Sequence, residues 1–297
     1  MSVVWVGLTG VTIAVLGLVT WQSRETLLVA LRTARYGRLA WTFVAYTASI
    51  GAIAVGWHLV MRHLGGERRF AVNAKIYVST LAARRLPGTL WYIAGRAVLY
   101  RRLGTPVRLC SIASGIEVIL SIVSGLMVGA PALLSRAEAS PFQVAIGVVI
   151  ELAGLCLLHP KVLRWLLARS GHFVEPGELT VLRVGSWIVA YVAMWISGGL
   201  MAYSVVSALY PVSLSAMPLT VSLWSLTGVI SYLAFLLPSN LGLSEITLSL
   251  LLSRIFPLPI TVTAAILIRV LTTAVDIVWS SLLLYEMKRH PDLFQPG

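Results

Sequence analysis

The chain has 297 residues, 58% hydrophobic and only 11% charged, with a mean hydropathy of +0.88; soluble domains carry about 25% charged residues, so a water-soluble fold is excluded. The net charge of +12 falls in short connections between apolar runs, which suits anionic lipid headgroups and the excess of Lys and Arg in cytoplasmic loops, and excludes nucleic acid as a partner. The two cysteines, Cys110 and Cys156, lie in apolar runs without disulfide-framework or metal spacing and read as packing residues.

In chain order, spanning candidates fall at 2–21, 39–61, 109–134, 142–159, 181–209, 219–237 and 260–285. Each has about 18 residues or more, enough for a hydrocarbon core of about 30 Å. The first carries no basic leader region and no small-residue cleavage site, so it is expected to be a retained helix. The 142–159 run is the weakest because it carries Glu151, read as a buried hydrogen-bonded acid ahead of a proton relay. The connection 160–180 is hydrophilic and too short for a domain.

Two stretches depart from this template. From Ile76 to Leu86 a helix reaches only about 16 Å, roughly half the core, before Pro87 and Gly88. Leu90 to Leu103 supplies a returning arm with Arg101 and Arg102 at its wet end. Later, Leu241 to Phe256 follows Pro238 and Gly242 and stops at Pro257 and Pro259, again too short for a span. Both read as re-entrant hairpins, and irregular backbone at membrane depth needs surrounding protein or a wet cavity. The predicted fold is an all-α polytopic membrane protein of about seven to eight transmembrane helices with two re-entrant broken-helix hairpins, one membrane domain over 1–297.

The two regions match at a period of about 151 residues, with halves at about 39–135 and 181–287. Leu86-Pro87-Gly88 aligns with Leu237-Pro238-Ser239, and the charges are exchanged: Arg96 on the first arm with Glu117 in the next helix, Glu245 on the second arm with Arg269 in the next. Four apparent spans separate the hairpins, whereas an inverted repeat needs an odd number. Either one segment is miscounted or the repeat is parallel.

The string LPGTLWYIAGRAVLYRRLG over 86–104, followed by Glu117, and the string LLPSNLGLSEITLSLLL, followed by Arg269, together resemble the lysylphosphatidylglycerol synthetase transmembrane-region family. The likeness covers nearly the whole chain. It implies translocation of a lipid headgroup in a prokaryotic cytoplasmic membrane, with Pro87, Gly88, Gly95 and Arg96 on the family's first element, Pro238, Gly242 and Glu245 on its second, and Glu117 and Arg269 on the helices that follow. The second element reads Pro-Ser-Asn where the family has Pro-Gly-Gly, and Ser244 stands where a basic residue is expected.

Arg84 and Arg85 sit at the tip of the first half-helix, where guanidinium forks either coordinate a lipid phosphate or cap carbonyls freed by the break. Arg96, Glu117, Glu245 and Arg269 form either a path of exchangeable ion pairs or two fixed salt bridges; Asp276, seven residues after Arg269, is a second candidate partner for it. The histidines, His58 and His63 among them, are scattered and are expected in interfacial or loop roles, so no metal and no cofactor is called for. Trp21, Trp41, Trp57 and Trp165 are expected in an aromatic belt. With no phosphate loop or triad spacing, the expected function is transport of an anionic phospholipid, aminoacyl-phospholipid or polyprenyl-linked lipid and not catalysis. The rival is a non-transporting subunit whose partner is a glycosyltransferase or lipid-synthesising enzyme.

Overall fold

The computed structural model describes residues 25, 32, 35–85, 91–134, 141–169, 171, 177–233 and 242–289, with the side chains of Arg85, Leu133 and Leu134 outside that set. Every regular element among them is helical. Helix α1 (Tyr36–His63) ends where Gly65, at φ 78°, takes the left-handed conformation that closes helix ends. Helix α2 (Phe70–Ser79) follows, then a 3-10 turn (Leu81–Arg85), α3 (Trp91–Arg102) and α4 (Val107–Leu134). Next come α5 (Pro141–Leu158), α6 (Pro160–Arg169), α7 (Val181–Leu209), α8 (Met217–Leu233), α9 (Leu243–Leu252) and α10 (Leu258–Arg289).

Among the described residues six stretches are long and apolar enough to cross a bilayer: α1, α4 as far as Ala132, α5, α7, Leu214–Leu233 and α10. They coincide with six of the seven expected spans. The seventh, 2–21, lies outside the described residues, as do Pro87, Gly88 and Pro238.

α1 lies along α7, α4 along α8, and α9 along α10, while α2 packs on α10. Close approach between α7 and α8 depends on Gly199, where a Cβ would lie 2.6 Å from the Val221 Cα. One core gathers Trp57, Tyr77, Tyr100, Leu120 and Trp187, and a second gathers Met201, Val205, Leu252, Ile260 and Ala264.

The first half-helix differs from its expected bounds. It starts at Phe70, well before Ile76, and its α-helical part ends at Ser79. At this end the Ser79 hydroxyl donates to Ile76 O and the Thr80 hydroxyl to Tyr77 O, and the chain tightens into the 3-10 turn. Ser280 of α10 supports this loosened end, donating to Val78 O at 2.9 Å and accepting from Ala82 N at 3.1 Å. Part of the freed backbone is thus satisfied by a neighbouring helix.

The connection 160–180 is also not all loop. It opens with α6, whose Leu163 and Leu167 are buried while Lys161 and Trp165 are exposed. Its apolar face packs into the first core, and the opposite face stays open. At the polar ends of α1 and α3, residues Gly65 to Arg69 and Leu103 to Pro106 share one cleft of about 420 Å³. There Glu67 accepts from the Arg69 backbone at 2.8 Å and is clamped by both sides of its guanidinium.

Candidate functional site

The α2 break and α3 bring two arginines to one acid. Glu117, on α4 and buried, receives Arg96 Nη1 on Oε2 at 2.5 Å and Arg84 Nη2 on Oε1 at 2.9 Å. The Tyr77 hydroxyl donates to the same Oε1 at 2.5 Å and accepts from Arg84 Nη2 at 2.9 Å. Arg96 has no solvent exposure, whereas the Arg84 side chain keeps 26% of its surface open.

The Arg96 guanidinium is enclosed by aromatic faces, with its carbon 3.9 Å from the Tyr77 ring centre, 4.5 Å from Trp57 and 4.9 Å from Tyr92. Such faces stabilise a cation without neutralising it. The Arg96 Nε reaches the Thr80 hydroxyl at 3.3 Å, and its Nη2 is buried with no hydrogen-bond partner among the described residues. The cluster thus holds two guanidiniums to one carboxylate, an excess of one positive charge among the described residues.

A polar chain holds this box from behind. Trp57 donates to the Tyr100 hydroxyl at 2.7 Å, Tyr100 donates to Asn73 Oδ1 at 2.6 Å, and Asn73 Nδ2 meets both His58 Nδ1 and Glu67 O. This corrects the belt and interface expectations. Trp57 is fully buried, and His63 is buried too, accepting from Trp187 Nε1 at 2.9 Å. Both belong to packed contacts between helices, because an indole or imidazole with a buried partner gains more there than at the interface.

The second pair forms on the other half. Glu245 Oε1 lies 3.3 Å from Arg269 Nε, while its Oε2 accepts from Gly242 N and from the Ser244 hydroxyl, each at 3.0 Å. Gly242, at φ 88°, turns the chain into α9 in a conformation that L side chains rarely adopt, and the Glu245 carboxylate caps the new helix. Ser244 therefore stands as a hydroxyl donor to the acid at the start of α9.

Glu245, Arg269 and Ser244 line a cavity of about 230 Å³ together with Tyr46, Trp195 and Tyr232. Asp276 is buried and accepts from the Tyr46 hydroxyl at 2.9 Å, which attaches it to the cavity wall through α1. Trp195 ties the cavity to the first cluster: its Nε1 donates to Ser121 O at 3.0 Å, and the Ser121 hydroxyl donates to Glu117 O at 2.8 Å.

The structure thus joins Arg84, Arg96 and Glu117, joins Glu245 to Arg269, and sets Asp276 beside them through Tyr46. The backbone of Arg85 continues the 3-10 turn. Tyr77, Tyr92, Thr80 and Tyr46 carry no sequence signal of their roles, because Tyr77 and Arg84 lie on either side of the α2 end and meet through the 3-10 turn. Among the described residues no three His, Cys, Asp or Glu side chains converge as metal ligands would. No family model matches the chain, and no curated protein matches it.

Proposed function

We propose that the chain is a membrane translocator for the headgroup of an anionic phospholipid, aminoacyl-phospholipid or polyprenyl-linked lipid, that it belongs to the lysylphosphatidylglycerol synthetase transmembrane-region family, and that it catalyses no covalent reaction. The observation that carries this is the excess positive charge at Arg84, Arg96 and Glu117. Unbalanced charge inside a bilayer is costly and marks ion or substrate paths. A lipid phosphate would supply the missing anion, taking Arg84 from Glu117 while Arg96 keeps its pairing, because Arg84 is the partly open member. The cavity at Glu245 and Arg269 would receive the polar remainder of the headgroup while acyl chains stay in lipid.

The helix contacts support the broken-helix architecture. The residues before α2 and after α3 share one cleft, as expected if that pair enters and leaves on the same face. In an internal repeat, α1 to α4 correspond to α7 to α10. α1 then packs on its own counterpart α7, and the exchanged contacts α2 with α10 and α4 with α8 are both present. With α8 as the first arm of the second hairpin, three spans, α4, α5 and α7, lie between the hairpins, an odd number that favours an inverted repeat. With α8 read as a hairpin arm, five of the six long apolar helices remain full spans; the helix expected from sequence at 2–21 would make six, and the two hairpins bring the membrane-embedded segments to eight, in a prokaryotic cytoplasmic membrane.

Lipid retention tests the site. Native mass spectrometry of the gently extracted protein is expected to show bound anionic phospholipid, most of it lost in Arg84→Gln; equal retention by both would contradict the assignment. A second function, a non-transporting subunit that anchors a glycosyltransferase or lipid synthetase, is favoured by the structural duty of Glu245, which caps α9 as well as binding Arg269. In that case Arg84→Gln keeps its lipid and loses a copurifying enzyme.

A further inference from the structure

Glu151 takes no part in either charge cluster. It sits near the middle of the 18-residue helix α5, the span with the least cover from the rest of the protein; Phe142, Val149 and Leu152 on it are widely exposed. Between α5 and α4 is a cavity of about 320 Å³, lined by Leu126, Met127 and Ala130 of α4 and by Val144, Val148 and Glu151 of α5. Among the described residues no other ionisable side chain lines it. The Glu151 Oε2 is enclosed and has no hydrogen-bond partner among the described residues.

The charged groups on the packed neighbours are engaged or remote in sequence. On α4 these are Arg108 and Glu117, the latter held by Arg84 and Arg96; on α6 they are Lys161, Arg164 and Arg169. None of these described groups lines the cavity. An isolated carboxylate in such surroundings is strongly disfavoured and neutralises in place.

We propose that Glu151 is a proton-binding site on the lipid-facing side of the protein, whose occupancy sets how closely α5 seats on α4. A bound proton leaves a neutral acid in the apolar cleft; its release leaves a charge that draws in water and parts the helices. The close seat is already built, because Gly154 places the α5 backbone against the Val123 side chain. α4 also carries Glu117, so proton occupancy couples to headgroup movement; this last step rests on the translocator function proposed above, whereas proton binding does not.

A hydrophobic carbodiimide reads the site directly. The acid transfers its proton to one carbodiimide nitrogen and its carboxylate adds to the central carbon; without a nearby nucleophile, the acyl group migrates from oxygen to nitrogen. The product is a stable N-acylurea with the mass of the acid plus the reagent, and nothing leaves. With the whole protein in lipid nanodiscs, dicyclohexylcarbodiimide is expected to modify the peptide containing Glu151, several-fold more in mild acid than in alkali, and Glu151→Gln to abolish that adduct. A water-soluble carbodiimide should leave Glu151 untouched. An unmodified Glu151 in the wild type, or equal modification by the soluble reagent, would overturn the site, and neither outcome depends on the variant folding. For coupling, an imposed pH gradient should change headgroup movement in vesicles of the wild type and not of Glu151→Gln; an equal response would overturn it. Absence of all movement in the wild type would count against translocation and against coupling, and leave the labelling result standing.

Discussion

Arg96 and Glu117, 21 residues apart in the chain, meet at 2.5 Å with both side chains withdrawn from solvent. A buried pair of this kind adds little net stability over an apolar pair of similar volume, but removing one partner strands the other. Here the stranding is doubled, because Arg84 uses the same carboxylate.

Glu117→Gln is therefore expected to destabilise the protein by about 3–5 kcal/mol, the usual penalty for an uncompensated buried charge. The double variant Arg96→Met with Glu117→Leu should lose less than Glu117→Gln alone. Thermal unfolding in detergent measures both, and a neutral Glu117→Gln would contradict the geometry.

Gly199 and Gly185 lie on the same helix α7 and should respond in opposite directions to alanine. At Gly199 a Cβ lies 2.6 Å from the backbone of Val221, so Gly199→Ala is expected to cost about 1–3 kcal/mol by overpacking. At Gly185 nothing lies within 4 Å of such a carbon, so Gly185→Ala should be neutral or stabilise by about 0.5–1 kcal/mol through the chain entropy of the unfolded state. Paired melting curves decide it.

Glu245 has two separable duties. Glu245→Gln keeps an oxygen for Gly242 N but gives up the charge that faces Arg269, while Glu245→Ala gives up both. The alanine variant should lose about 1 kcal/mol more than the glutamine one, a typical value for a lost cap. Amide exchange in the first turn of α9 should rise most in Glu245→Ala.

Glu67 supplies a pH dependence outside the spans. The hydrogen bonds from the Arg69 guanidinium hold its carboxyl below the usual carboxylate range. A carboxyl held low in the folded state contributes stability above its unfolded value and loses it as pH falls through the folded one. Acidification should therefore loosen residues 64–69 in amide exchange corrected for intrinsic rates. Glu67→Gln should be looser already at neutral pH and unresponsive to acid.

The spans were legible because hydrocarbon demands long apolar runs, and their ends hardly depend on neighbours. The ionic pairs were legible for a related reason: Arg96, Glu117, Glu245 and Arg269 are so few in so apolar a chain that each needs a partner within the protein. What escaped depends on contacts distant in sequence. The end of α2 is held by Ser280 of α10, 202 residues after Val78, and a lone hydroxyl carries no period that marks such a role. Trp57 reads as an interfacial aromatic until Arg96 is placed on its face. That Arg84 and Arg96 share one acid is visible only once α2, α3 and α4 are packed together.

Headgroup movement in proteoliposomes tests translocation most directly. With headgroup-labelled anionic phospholipid or a polyprenyl phosphate, the purified protein should move label between leaflets faster than protein-free vesicles do, and Arg84→Gln should abolish most of the gain. Movement no faster than in protein-free vesicles for every lipid tested would contradict it.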